Sequence, residues 1–207
     1  TAGKQAYVPL RFVPGEAFQF DWSEDWIKIN GVNTKLQIAH FKLCYSRAYF
    51  MRAYLTQSHE MLFDAHYHAF TAFGGIPERG IYDNMKTAVD KIGRGKQRQI
   101  NKRFHAMVGH YLYEPEFCNP AAGWEKGQVE KGVLDARHGL WYDTPPFKSL
   151  NELNNWLQER CQALWRETAH PQFKTRSLAD CLEDELPAMM PVPVAFDGFV
   201  EHSKRVS

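Results

Sequence analysis

The chain has 207 residues, 44% of them hydrophobic and 24% charged, and its 25 Lys and Arg against 24 Asp and Glu leave a formal net charge of only +1. That length supports one sizeable core, or one core with an appendage. No apolar run reaches the roughly 18 residues a membrane span needs, no charged segment leads into an apolar one as in a secretory leader, and no Gly-rich phosphate loop offers a site for ATP.

Residues 1–15 read as a lead-in, and Thr1 in place of Met leads us to expect a fragment of a longer protein. Ala17–Ser23 is an aromatic strand. Lys35–Leu43 and Ala48–Thr56 are β-prone runs joined through Cys44-Tyr45-Ser46-Arg47, a hairpin with the first strand alongside. Ser58 caps a helix whose stripe is Met61, Leu62, Ala65, Ala69 and Phe73, and Gly74-Gly75 with Pro77 ends it. Ile76–Tyr82 is the next strand, Asn101–Tyr111 a helix, Tyr113–Phe117 a short strand and 119–123 a loop.

Trp124–Trp141 reads as a further helix, with Val129, Val133, Ala136 and Leu140 as its core stripe. After Pro145-Pro146 a helical appendage begins. Ser149 and Glu152 are spaced as a capping box, followed by an apolar face of Leu150, Leu153, Trp156, Leu157, Cys161 and Leu164. A short helix, Ser177–Glu185, precedes Pro187, Pro191 and Pro193, which mark a linker into the start of a following domain. The order is β-β-β-α-β-α-β-α, a mixed sheet flanked by helices.

Three acids stand out by their settings. Asp21 lies in the first aromatic strand, Asp83 follows Gly80-Ile81-Tyr82 where a strand stops, and Glu130 borders the core stripe of the predicted helix at 124–141. Three carboxylates on separate elements suit a pair of hard cations about 3.5–4 Å apart, which can clamp the attacking and leaving oxygens of a phosphodiester displacement. The expected ions are therefore two Mg²⁺, or Mn²⁺. Most of the 24 acids in the chain are solvated charges, and Glu24, Asp25 and Asp64 read as solvated or capping.

The near-neutral net charge hides a basic segment. Between Lys86 and His105 seven cations, Lys86, Lys91, Arg94, Lys96, Arg98, Lys102 and Arg103, face one anion, Asp90. Counterion release makes such a segment a source of affinity for a phosphate backbone, and Gly93 and Gly95 would let it follow DNA as a flexible loop. Lys126, Lys131 and Arg137, on the helix of Glu130, are added as DNA contacts. The histidines do not form a zinc site: His66 and His68 point to different sides of their helix. Cys44, Cys118, Cys161 and Cys181 are widely spaced and read as reduced thiols of a cytosolic protein.

The segments Phe20-Asp21-Trp22-Ser23-Glu24, Ile81-Tyr82-Asp83-Asn84-Met85-Lys86-Thr87-Ala88-Val89 and Glu125-Lys126-Gly127-Gln128-Val129-Glu130-Lys131 together resemble the catalytic core of IstA-type transposases of bacterial insertion sequences. These belong to an integrase-like group with an Asp-Asp-Glu site. The resemblance implies an α/β, ribonuclease-H-like fold: a mixed five-stranded sheet flanked by helices, with the catalytic core at 16–145, the helical appendage at 146–190 and a linker at 191–207. It also implies metal ligation by Asp21, Asp83 and Glu130, and action on double-stranded DNA, namely the terminal inverted repeats of an element and a target. A homo-oligomer, a partner AAA+ ATPase and a bacterial, nucleoid-associated cytoplasmic setting follow from the same resemblance. Two rivals stay open: a nuclease that does not join strands, and a DNA-binding or assembly module without chemistry.

Overall fold

The computed structural model describes residues 11–83, 89–92, 98–117 and 144–198. Strand β1, Ala17–Ile29, turns through Asn30 and Gly31 into the antiparallel β2, Val32–Leu43. The φ values of 50° at Asn30 and 76° at Gly31 are the left-handed pair that a tight hairpin between twisted strands requires. β1 thus runs past the expected end at Ser23, because 24–29 pair with 32–37 in a two-stranded ribbon beyond the sheet. β3, Tyr49–Tyr54, follows the Cys44–Arg47 turn and pairs with β2.

Two parallel strands complete the sheet: β4, Arg79–Tyr82, beside β1, and β7, Glu114–Phe117, beside β4. The order is β3-β2-β1-β4-β7. The expected strand at 76–82 is shorter in the sheet, because Ile76 instead exchanges both backbone hydrogen bonds, at 2.9 Å, with Met190. β5, Val89–Ile92, and β6, Arg98–Ile100, form a separate antiparallel pair inside the segment expected to be a flexible loop.

Local chemistry sets the helix ends. α1, His59–Phe73, starts where the Ser58 hydroxyl accepts from the Met61 N–H and stops at Gly74, whose φ of 81° closes the last turn. α2, Lys102–Tyr111, is capped by the Asn101 side chain. In α3, Leu150–Glu167, Ser149 accepts from the Glu152 N–H, but the Glu152 carboxylate takes the N–H of Lys148, so only half of the expected box forms. The reciprocal box is instead at α4, Leu178–Glu185, between Ser177 and Asp180.

The core lies between α1 and one face of the sheet. Phe18 and Phe20 of β1, Phe41 of β2, Phe50 of β3 and Tyr82 of β4 are buried there with Phe70 and Phe73 of α1. Gly80 stands opposite Phe18 in the parallel register, and a Cβ on it would lie 2.5 Å from the Phe18 ring, so only Gly fits. His66 occupies the middle of this layer and is fully buried. Its Nδ1–H donates to Leu62 O at 2.7 Å and its Nε2 accepts from the Tyr82 hydroxyl at 2.7 Å, which accepts from Tyr113 at 2.6 Å. Desolvation holds the imidazole neutral, with its pKa lowered to about 3.

The open side of β3 is covered by α3. The Asn154 side chain accepts from Ala53 N–H at 2.7 Å and donates to Ala53 O at 3.0 Å; Trp165 donates to Tyr49 O at 2.7 Å. Cys161 packs at the Met51 backbone between them. These residues, at i, i+7 and i+11, share one helix face and occupy the backbone groups that an edge strand would otherwise present to another chain. Beyond α4, the Glu185 carboxylate is buried and accepts from the backbone N–H groups of Gly15 and Ser46 at 3.1 and 3.3 Å. Burial raises its pKa.

Two outcomes follow. Because folded His66 resists protonation, stability is fully present above the unfolded pKa near 6.5 and falls as pH drops toward about 3, approaching ~1.4 kcal/mol per pH unit. Urea titrations of the parent and of His66→Gln between those limits should differ by that slope; equal slopes would refute neutral burial. Asn154→Ala should cost about 1–3 kcal/mol in the same assay, since it strands Ala53 N–H and C=O.

Candidate active site

The parallel register pairs Phe20 with Tyr82, so Asp21 on β1 and Asp83, the first residue after β4, come next on neighbouring segments. Strand spacing puts their backbones about 4.8 Å apart. Phe20 and Tyr82 both pack on His66 of α1, with ring centroids 5.3 and 5.9 Å away. Side chains alternate along a strand, so Asp21 and Asp83 emerge on the opposite face. Both are partly exposed, and both follow residues buried at 1% or less. The aromatic core therefore presents the two acids side by side.

Across the sheet on that face, antiparallel pairing sets His40 opposite Asp21 and Met51 opposite His40. His40 is only 6% exposed, and its Nε2 shares a 2.6 Å hydrogen bond with Ser23 Oγ, two residues along β1 from Asp21. Sequence reading missed this pair. The signal was the register, which the Asn30-Gly31 turn fixes: counting back from it sets position 21 against position 40.

Glu130, Lys126, Lys131 and Arg137 lie outside the described residues, as do Lys86, Arg94 and Lys96. The backbones of Lys91 and Arg98 are on β5 and β6. Lys102 is exposed at the start of α2. Arg103 is engaged within the chain: it donates to Glu60 at 2.7 Å and Gly198 O at 2.9 Å and lies over the Phe63 ring. Asp64, read as solvated or capping, instead accepts from Arg52 at 3.0 Å and Tyr54 at 2.6 Å and pairs with His68 at 3.4 Å. Those bonds outweigh desolvation and hold its pKa below the usual carboxylate range.

Among the described residues no group of three or more His, Cys, Asp and Glu side chains gathers as a metal site. Asp21 and Asp83 nevertheless fit a hard divalent cation by donor type, since both are partly exposed carboxylates at adjacent positions on the face away from the aromatic layer. No helix among the described residues is long and apolar enough to cross a membrane.

No family model matches the chain. It is 62% identical over all 207 residues to a transposase of Aminobacter aminovorans and 60% identical over the same length to the transposase for insertion sequences IS1326/IS1353 of Pseudomonas aeruginosa. It spans 41% of the length of each. Among solved structures, it matches a chain of the simian T-cell lymphotropic virus intasome in complex with PP2A regulatory subunit B56 gamma. The TM-score is 0.61 at 14% identity, covering 96% of this chain and 63% of that one. The HTLV-2 integrase catalytic core domain in complex with magnesium gives a TM-score of 0.53 at 12% identity, over 82% of this chain and 97% of that one. The architecture is the ribonuclease-H-like α/β fold of integrase cores.

The adjacency of the two acids has a chemical test. A Cα separation near 4.8 Å lies within the roughly 4.4–6.8 Å that disulfides span. Asp21→Cys combined with Asp83→Cys should therefore form an intramolecular bridge on mild oxidation, read by peptide mass spectrometry. Failure of the folded variant to bridge would contradict the register.

Proposed function

We propose, for a chain that belongs to the IstA-type family of insertion-sequence transposases, that it cuts DNA at element ends and joins the freed 3′-hydroxyl ends to target DNA. The observation that carries this is the pairing of Phe20 with Tyr82, which makes Asp21 and Asp83 neighbours on the face of the sheet away from the aromatic layer. Asp21 and Asp83 would hold Mg²⁺ or Mn²⁺, with Glu130 as the third ligand. Two such ions supply activation of the attacking oxygen and stabilisation of the departing one.

The reaction we assign has two displacements at phosphorus. In cleavage, water adds to the phosphodiester, the bond to the 3′-oxygen breaks, and a 3′-hydroxyl and a 5′-phosphate result. In joining, that 3′-hydroxyl adds to a target phosphodiester and releases a target 3′-hydroxyl, so the number of phosphodiester bonds is unchanged. The carboxylates fix where the reacting phosphate sits, because Asp21 lies on β1 and Asp83 directly follows β4, both strands being anchored in the aromatic layer. Lys91, Arg98 and Lys102, with the other cations of 86–105 and Lys126, Lys131 and Arg137, would neutralise backbone phosphates and position the duplex.

The catalytic unit in this reading is 16–145, and 146–190 is its helical cover. The substrates are terminal inverted repeats and a target duplex. Action on paired ends calls for a homo-oligomer. The remaining partner we assign is an AAA+ ATPase, and the setting is the nucleoid in the bacterial cytoplasm.

Asp83→Asn is the direct test, because it removes charge with little change in shape. Cleavage and joining of labelled end duplexes should fall to background while DNA retention and thermal stability stay near those of the parent. Retained joining would sink the assignment. Cleavage without any joined product in the parent chain would favour a nuclease instead.

A further inference from the structure

Among the described residues, the face of the sheet away from α1 carries a hydrogen-bonded polar pair, buried His40 and half-buried Ser23, with no part in the chemistry so far. Met51, His40 and Asp21 form a row across β3, β2 and β1, and Asp83 follows on the β4 side. His40 is only 6% exposed, and the 2.6 Å hydrogen bond between its Nε2 and Ser23 Oγ fixes the ring along β1. Side chains directly opposite on antiparallel strands lie about 4.5–5.5 Å apart at Cβ. The imidazole therefore walls Asp21 on the side away from Asp83.

We propose that His40, locked by Ser23, is a positioning residue that confines the Asp21 carboxylate to the β4 side, where it meets Asp83 and a shared divalent ion. This rests on the reading of Asp21 as a metal ligand. A carboxylate free to choose among staggered rotamers must be ordered when an ion binds; one walled by a fixed ring is ordered beforehand. His40 then acts on ion affinity through Asp21 and touches neither ion nor DNA. Ser23 matters because it stops the ring from turning away.

The test is Mn²⁺ binding to the whole 207-residue chain, followed by the electron paramagnetic resonance signal of free Mn²⁺. Outer partners of metal ligands typically change affinity 10–100-fold. Ser23→Ala and His40→Ala should each raise the Kd for Mn²⁺ roughly tenfold, the lower end of that range. The double variant should be little worse than His40→Ala, since the two act as one unit. DNA cleavage lost at low Mn²⁺ should return at saturating Mn²⁺, which a general loss of structure would not allow.

Asp21→Asn separates the positioning role of His40 from metal ligation by Asp21. If it removes Mn²⁺ binding while folded Ser23→Ala and His40→Ala leave the Kd unchanged, the positioning role is overturned and the catalytic reading stands. If Asp21→Asn itself leaves Mn²⁺ binding unaltered, both are overturned. Should His40→Ala fail to fold, Ser23→Ala and His40→Gln decide the same question.

Discussion

The hydrogen-bonded chain from Tyr113 through Tyr82 to His66 is the constraint on which the placement of the two acids depends. It links β4 and the start of β7 to the centre of α1 through groups that burial leaves without water. A buried polar group that loses its partner costs far more than a typical hydrogen bond contributes, so this chain admits only arrangements in which all its members meet. Tyr82 can reach His66 only with β4 at one height along β1. That height places Asp83 level with Asp21. Gly80 serves the same end by letting Phe18 lie against β4, which a Cβ would forbid.

A sheet in this position has exposed margins to manage, and the C-terminal third of the chain supplies the cover for one of them. Asn154, Cys161 and Trp165 of α3 meet the outward backbone groups of β3. Leu153, Leu157 and Trp165 belong to the same apolar cluster as Phe18 and Phe20, so α3 contributes to the core that carries the acids. The buried Glu185 carboxylate adds a polar tie, binding the end of α4 to Gly15, just before β1, and to Ser46 in the β2–β3 turn. The strands that lead to Asp21 and Asp83 are thereby fixed from the opposite face and from one edge.

Much of this was legible in the sequence because it rests on local chemistry. Ser58 and Gly74 bracket α1 by capping and by a left-handed residue, and the aromatic run at 17–22 alternates between a buried and a free face. The stripe of α1 was read as apolar only. It missed His66 because a histidine satisfied on both nitrogens is no different in sequence from one on the surface, and its partners lie 16 and 31 residues further along in pairwise steps. The ribbon beyond Ser23 was missed although Asn30-Gly31 announced it, because Glu24, Asp25, Lys28 and Lys35 obscure the alternation. In α3 the buried face turned toward Asn154 and Trp165 in place of Leu150 and Leu164, since backbone groups on β3 needed partners more than another leucine needed burial.

The adjacency of Asp21 and Asp83 is set by the register. Nothing in the packing of the aromatic layer requires acids at those positions. Neutral side chains there would be compatible with the same register, because that register is set by Phe20, Tyr82 and His66 on the other face. Positions whose residue types the packing does not explain, within surroundings that are internally consistent, are where function is expected to reside. The aromatic layer fixes the two positions side by side whatever residues occupy them.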